Sequence, residues 1–192
     1  MKAILTTLAT AGLLLGVAHG QPPAKPVKLE WQPLNIVRSA FGRDMGMLDS
    51  EREEYATHLA ALAVGMIRES GGKKEAMVQP RRILALALHL SPRNKSALVA
   101  NFQLGKGLMP EAVSSQLQPP SLSLLLLKRA QLLTQQAGLE DLKLSGYFFE
   151  LAAELNPRND DAVYMSELHR LKSGPPDWTL LTNPAPAVAP TP

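Results

Sequence analysis

The stretch that decides the fold occurs twice, as LALALHLSPRN at residues 84–94 and as FELAAELNPRN at residues 149–159. Each copy has an apolar, helix-forming half followed by a turn that contains Pro, Arg and Asn. The two prolines, Pro92 and Pro157, lie 65 residues apart, roughly twice the period of about 34 residues that helix-turn-helix repeats show. The repetition predicts stacked helical hairpins, an architecture that usually binds other proteins and performs no chemistry.

Helical periodicity and capping residues extend this pattern on both sides of the repeated stretch. Asp49 or Ser50 can cap a first helix, and Gly71 can end it. No segment has the alternating pattern of a strand, so the sequence predicts an all-α protein with six or seven helices. The remaining helices are expected at residues 80–90, 95–106, 121–138, 140–155 and 160–172, with a possible short one at residues 111–117.

The distribution of proline sets the limits of the folded domain. Of the 16 prolines, four lie between residues 22 and 33 and six between residues 175 and 192. Proline lacks the backbone N–H that a helix needs, so both ends are expected to be non-helical. The predicted parts are a signal peptide, an extended or weakly structured segment, a helical-repeat domain and a flexible Pro/Ala-rich tail, at residues 1–20, 21–48, 49–174 and 175–192.

The N-terminus has the three-part form of a secretory signal peptide. A basic residue, Lys2, precedes a largely apolar stretch at residues 4–18, and the small residues Ala18 and Gly20 stand just before Gln21. The apolar stretch is shorter than the roughly 18–20 residues that a membrane-spanning helix needs. We therefore expect cleavage before Gln21 and a mature protein that is periplasmic or secreted. An uncleaved N-terminal membrane anchor is the alternative.

The residues around the two prolines resemble the tetratricopeptide repeat family. That family places a proline at the end of the second helix of each hairpin and a small residue five positions earlier, as Ala87 stands before Pro92 and Ala152 before Pro157. The resemblance is degenerate and covers roughly residues 50–174. It implies stacked antiparallel hairpins with a right-handed superhelical tendency and a concave surface that binds a partner. It assigns no specific binding residue to this chain.

Composition excludes several classes of protein. The chain has 20 Lys and Arg against 17 Asp and Glu, and loss of Lys2 with the leader leaves a net charge of about +2. This balance does not suit a nucleic-acid reader, which neutralises many phosphates. There is no Cys, so disulfides and a lipid-modified Cys are excluded. The basic pairs at residues 73–74 and 81–82 are interpreted as the solvated rim of a turn.

The histidines are the main candidates for chemistry. Glu54 and His58 are one helical turn apart, a spacing that suits metal ligation, but no Cys or second nearby His completes a zinc site. A solvated Glu–His pair is the simpler interpretation. His89 lies near a helix end, where its cation would suit the helix dipole, and His169 lies beside charged residues. The sequence therefore predicts no catalytic, metal-binding or cofactor-binding residue.

Three further residues have a structural interpretation and a functional one. Asn94 can cap a helix or, in a eukaryotic secretory pathway, accept a glycan as part of Asn94-Lys95-Ser96. Trp31 and Trp178 lie beside prolines outside the repeats, where each can pin a terminal segment onto the helices or stack on a ligand.

Together these features predict an exported helical scaffold that binds a protein or peptide partner. The expected groove lies on residues 95–106 and 121–137, the first helices of two hairpins. Neither nucleic-acid binding nor stable membrane insertion after removal of the leader is expected. The alternative is a small exported enzyme or ligand carrier, whose site would be assembled from polar groups distant in the sequence.

Overall fold

The computed structural model describes residues 29–36, 38–42, 44–114 and 117–183, and helices make up all of its regular secondary structure in these ranges. The all-α prediction is confirmed for this part of the chain. The predicted signal peptide and the last nine residues of the predicted tail lie outside it. The helices are α1 Asp49–Glu69, α2 Val78–Leu90, α3 Lys95–Gly105, α4 Pro119–Gln136, α5 Leu139–Leu155, α6 Asp160–Ser173 and α7 Thr179–Thr182, with a 3₁₀ turn at Lys74–Ala76 between α1 and α2.

The two copies of the repeated stretch form the same local structure. Helix α2 ends with the Ser91 N–H bonded to Ala87 O, and helix α5 ends with the Asn156 N–H bonded to Ala152 O. In each copy the Asn of the turn then caps the next helix, accepting from the amide of its third residue at 2.9 Å in the first copy and 3.2 Å in the second. The capping role predicted for Asn94 is confirmed.

The helices pack in two groups that share one apolar core. Helix α1 lies along α2, and α3 packs against both; α4 lies along α5, and α6 packs mainly against α5. Tyr55 of α1 stacks on Phe148 of α5 with ring centroids 5.4 Å apart. Arg129 of α4, which is partly buried, binds Glu51 of α1 at 2.6 Å. These two contacts add to the shared core in joining the groups. No helix in the described ranges is long and apolar enough to cross a membrane.

The segment before α1 has no helix but contributes to the core. Leu29, Leu34, Phe41 and Met45 are buried among the helices. A Cβ at Gly72 would lie 1.9 Å from the Leu29 side chain, so the close approach requires glycine there. Gly72 also has a positive φ of 75°, which glycine adopts without steric cost. Residues 21–48 were expected to be extended or weakly structured. Where the structure describes this segment, it packs tightly on the helices.

The segment after α6 also packs on the helices over its first part. Residues 175–183 belong to the predicted flexible tail, yet Leu181 of α7 is fully buried. Trp178 packs edge-on against Tyr147 with centroids 4.9 Å apart, and its Nε1–H donates to Glu150 at 2.7 Å. Trp178 thus pins this segment to α5, one of the two roles that its sequence position suggests.

The insertion between α3 and α4 differs from the expectation. The predicted short helix at residues 111–117 is wrong, because residues 111–114 and 117 have no helical structure. Pro110 lies just before these residues, and its carbonyl accepts a hydrogen bond from Arg68 Nη1 at 2.8 Å. This bond ties the insertion to the end of α1. The Pro110 carbonyl thus has a hydrogen-bond donor from α1, and it does not need a helical turn in the insertion to supply one.

Candidate functional site

One face of α3 is apolar and exposed to solvent. Leu98, Val99 and Phe102 are 45%, 46% and 65% exposed, respectively. They fall within an arc of about 100° on the helix, at a rotation of 100° per residue. The opposite face is buried against α1 and α2 through Ala97 and Leu104. The exposed arc therefore has no partner within the described part of the chain.

Two lysines stand at the ends of this apolar arc. Lys95 and Lys106 lie within the same 100° arc, about 16 Å apart along the axis at 1.5 Å per residue. Lys106 Nζ lies 5.6 Å from the centroid of the Phe102 ring. Residues 95–110 contain no acidic residue. We call Lys95, Leu98, Val99, Phe102 and Lys106 the α3 stripe: an apolar centre with a cation at each end.

Polar contacts on both sides hold α3 in place. At its start, Asn94 Nδ2 donates to Glu53 and Thr57 of α1, both at 2.8 Å. In its middle, the Asn101 side chain accepts from the Leu34 N–H and donates to the Leu34 carbonyl, both at 2.9 Å. The stripe is therefore presented by a fixed helix. The sequence analysis missed Asn101, since its partner is 67 residues away.

The other helix expected to form the groove also exposes apolar side chains. On α4, Leu124 and Leu132 are each about half exposed, and they lie two turns apart. At the positions of α6 that match Leu98 and Val99 in the repeat alignment, Val163 and Tyr164 are exposed as well. Only α3 combines such residues with a cation at both ends, because α4 carries Lys128 in mid-helix and α6 begins with two aspartates.

His89 is a structural residue and not a surface cation. The ring is 1% exposed; its Nδ1 accepts from the Ala40 N–H at 2.9 Å, and its Nε2 contacts the Leu181 carbonyl at 3.1 Å. Nδ1 must be unprotonated to accept, so Nε2 is the donor. Burial lowers the pKa of His89, which favours the same neutral form. The predicted cation at the helix end is therefore wrong.

The other two described histidines have local partners. His58 Nε2 lies 3.7 Å from a Glu54 oxygen, as the sequence spacing suggests. His169 Nε2 bonds the Leu142 carbonyl at 3.2 Å, and its ring packs against Phe149. In the described ranges, no group of three or more His, Asp or Glu residues is placed to hold a metal ion.

The basic pair at residues 81–82 differs from the expected solvated rim. The Arg82 guanidinium lies 4.1 Å from the centre of the Trp178 ring and binds Glu150 at 2.5 Å and Glu154 at 3.4 Å. Arg81 donates to the carbonyl of Thr182 at 3.2 Å. Both arginines therefore fasten the C-terminal segment to α2 and α5. Lys74, in contrast, is exposed and pairs with Glu30.

An open polar groove of about 890 Å³ lies where the segment before α1 meets the first copy of the Pro-Arg-Asn turn. Arg52 of α1 lines this groove and is only 6% exposed. Exposed Arg38 and Arg93 line its sides. Asp49 and Glu140 are the acidic lining residues. The groove brings together residues that lie up to about 100 positions apart, so sequence spacing gave no signal for it.

Trp31 lies at a second, smaller groove near the end of α3. Its Nε1–H donates to Asn101 at 3.2 Å, so the indole is engaged in holding α3.

Comparisons of the chain with family profiles, curated proteins and solved structures found no match. The α3 stripe and the arginine-lined groove are thus the two candidate sites that the structure itself offers.

Proposed function

We propose that this protein is an exported helical-repeat scaffold that binds a protein partner through the α3 stripe. The observation that carries the proposal is the exposed apolar face of α3 with its flanking lysines. Full burial of a side chain such as Leu or Phe contributes about 1.5–3 kcal/mol. Leu98, Val99 and Phe102 are about half exposed, so a partner that covers them gains roughly half of that from each.

The partner best suited to the stripe is an amphipathic helix with acidic residues at both ends of its apolar face. The charge of the stripe argues for this choice, since Lys95 and Lys106 have no acidic neighbour on α3. An apolar centre excludes water, and opposite charges at the rim set register and speed association. Helix-in-groove recognition uses the same i, i+3, i+4 and i+7 spacing.

The tetratricopeptide-like arrangement is part of this proposal. Its support is local: two copies of the turn have the same hydrogen bonds, and Ala87 and Ala152 are both completely buried at the same place before it. Helices α1 with α2 and α4 with α5 form adjacent pairs. In such an array α3 is the first helix of a hairpin whose second helix is missing, which accounts for its uncovered face.

Export is the second part of the proposal and rests on the sequence of the leader. Cleavage before Gln21 would place the scaffold in the periplasm or outside the cell, where the partner must also be found. N-terminal sequencing of the protein recovered from the exporting cell should begin at Gln21. Recovery of the intact leader in the membrane fraction would support an N-terminal anchor instead.

A photo-crosslinking experiment in the producing cell tests the surface itself. A photo-reactive amino acid in place of Phe102 should give a discrete adduct, because Phe102 is at the centre of the stripe. The same amino acid in place of Leu171 of α6, which is 82% exposed, is the matched control and should give none. An excess of the protein without the photo-reactive residue should reduce the amount of adduct, because it competes for the partner. An excess of the Phe102→Ser variant should not. Equal labelling from both positions would contradict the proposal.

A further inference from the structure

Arg52 is buried, and it differs from Arg82 and Arg129, which are partly buried. Arg82 and Arg129 each pair with at least one glutamate. Arg52 is 6% exposed, yet its bonds run only to backbone carbonyls: Nε to Leu90 O at 2.9 Å and Nη1 to Gly42 O at 3.3 Å. No carboxylate of the described residues lies within 4 Å of it. A buried charge of this kind normally has an ionic partner.

The Leu90 carbonyl offers Arg52 only partial compensation. It belongs to the last turn of α2, where the helix dipole carries roughly half a negative charge. The guanidinium has five N–H donors, and two of its three nitrogens account for the bonds present. The third, Nη2, binds no described residue. Arg52 therefore retains both donors and unbalanced charge at the wall of the groove.

Two more arginines line the same groove without an ion pair in the described structure. Arg38 comes from the segment before α1, and Arg93 from the Pro-Arg-Asn turn. With Asp49 and Glu140 included, the five charged lining residues sum to +1. A ligand group with a single negative charge balances this sum, whereas a doubly charged phosphate would leave the site with a net charge of −1. Planar guanidinium groups bind a carboxylate through paired hydrogen bonds.

From these observations we infer that the groove is a binding site for a carboxylate, held by Arg52, Arg38 and Arg93. Two sources share this chemistry: a free amino acid and the C-terminal end of a peptide. A volume of about 890 Å³ falls in the range of sites for small ligands or short peptide ends. The site is separate from the α3 stripe, and the inference does not rest on the proposed partner.

Calorimetric titration of the exported protein with defined probes tests the site. The probes are N-acetyl-alanyl-alanine, its C-terminal amide, free alanine and inorganic phosphate. At least one carboxylate probe should bind at millimolar concentration or below, and the dipeptide amide should bind at least about tenfold more weakly than the acid, since a charge-assisted hydrogen bond is lost. Binding of the acetylated dipeptide identifies a peptide end as the source, and binding of free alanine alone identifies an amino acid.

Two exposed arginines allow the site to be altered without disturbing the fold. Arg93→Gln and Arg38→Gln should each weaken the binding of the carboxylate probe by about tenfold. Arg158→Gln is the matched control, because Arg158 holds the same place as Arg93 in the second copy of the turn and lies outside the groove. Circular dichroism should show all three variants to be folded.

Four results would overturn the inference. They are equal and saturable binding of the dipeptide acid and its amide, tighter binding of phosphate than of both carboxylate probes, equal weakening by Arg158→Gln and Arg93→Gln, and no saturable binding of any carboxylate probe at millimolar concentration. Each outcome is independent of the crosslinking at position 102.

Discussion

Replacement of His89 by alanine should destabilise the protein strongly, because this ring joins three parts of the chain. Its Nδ1 accepts from the Ala40 N–H, its Nε2 donates to the Leu181 carbonyl, and its own carbonyl accepts from the Ser39 hydroxyl at 2.6 Å. The segments before α1 and after α6 are therefore both fastened to the end of α2. His89→Ala removes the two ring bonds and leaves the backbone bond in place.

The cost can be worked out from these contacts. Each buried backbone group left without a partner costs about 1–3 kcal/mol, and here the Ala40 N–H and the Leu181 carbonyl both lose theirs. The edge-on contact of the ring with Phe41, at 6.4 Å between centroids, is lost as well. We expect a total of about 3–5 kcal/mol, a large part of the roughly 5–15 kcal/mol that stabilises an ordinary domain.

Denaturant unfolding measures this loss as a change in the free energy of unfolding. Arg170→Ala is the control, since both members of the Arg170–Glu167 pair on α6 are largely exposed and its loss should cost about 1 kcal/mol or less. The Ala40 amide should also exchange its hydrogen faster in the His89→Ala variant than in the unmodified protein. A loss below about 1 kcal/mol for His89→Ala, with an unchanged Ala40 amide, would refute the role assigned to this ring.

Two other predictions concern packing and ionisation in the core. Ala152 is completely buried and its carbonyl accepts from Ser123 Oγ at 2.7 Å, so Ala152→Leu should overpack the α4–α5 contact and lower the free energy of unfolding by about 1–3 kcal/mol. A change within about 0.5 kcal/mol in denaturant unfolding would contradict it. Burial raises the pKa of Tyr55 and of Tyr147 from 10.0 to about 12, so ultraviolet titration should show both still protonated at pH 10. Their contribution to stability should be complete below pH 10 and lost as the pH rises through about 12; a titration midpoint near pH 10 for these two tyrosines would refute this.

Local sequence signals predicted most of the helical framework. The start of α1 near Asp49, the cap at Asn94 and the buried Ala87 and Ala152 depend on residues within one or two turns of one another, and the structure has them where the sequence placed them. The predicted capping of α1 by Asp49 or Ser50 was wrong, because Leu48 holds the N-cap position and Asp49 is the first helical residue. The short helix predicted at residues 111–117 was wrong. The Pro110 carbonyl just before this segment is bound by Arg68, 42 residues earlier in the chain, a contact for which the local sequence gives no signal.

The sites were harder to predict because their residues are distant in the sequence. The partners of His89 are 49 and 92 residues away, so its position near the end of α2 suggested only a cation that suits the helix dipole. Arg52 carried no signal at all on α1, since an arginine in the first turns of a helix is ordinarily solvated. The exposed face of α3 was better indicated, because the predicted groove included residues 95–106. Its role in binding stays a prediction.

The most direct test of the proposed scaffold uses the partner identified by crosslinking. It measures how tightly this partner binds a variant in which both lysines of the α3 stripe are replaced by glutamate. The double variant Lys95→Glu/Lys106→Glu should bind the purified partner at least about tenfold more weakly in calorimetry, because attraction to acidic flanks becomes repulsion. Lys172→Glu, an exposed lysine at the end of α6, should bind as the unmodified protein does. Unchanged affinity of the double variant, with its fold intact, would contradict the assignment of the α3 stripe as the partner-binding surface.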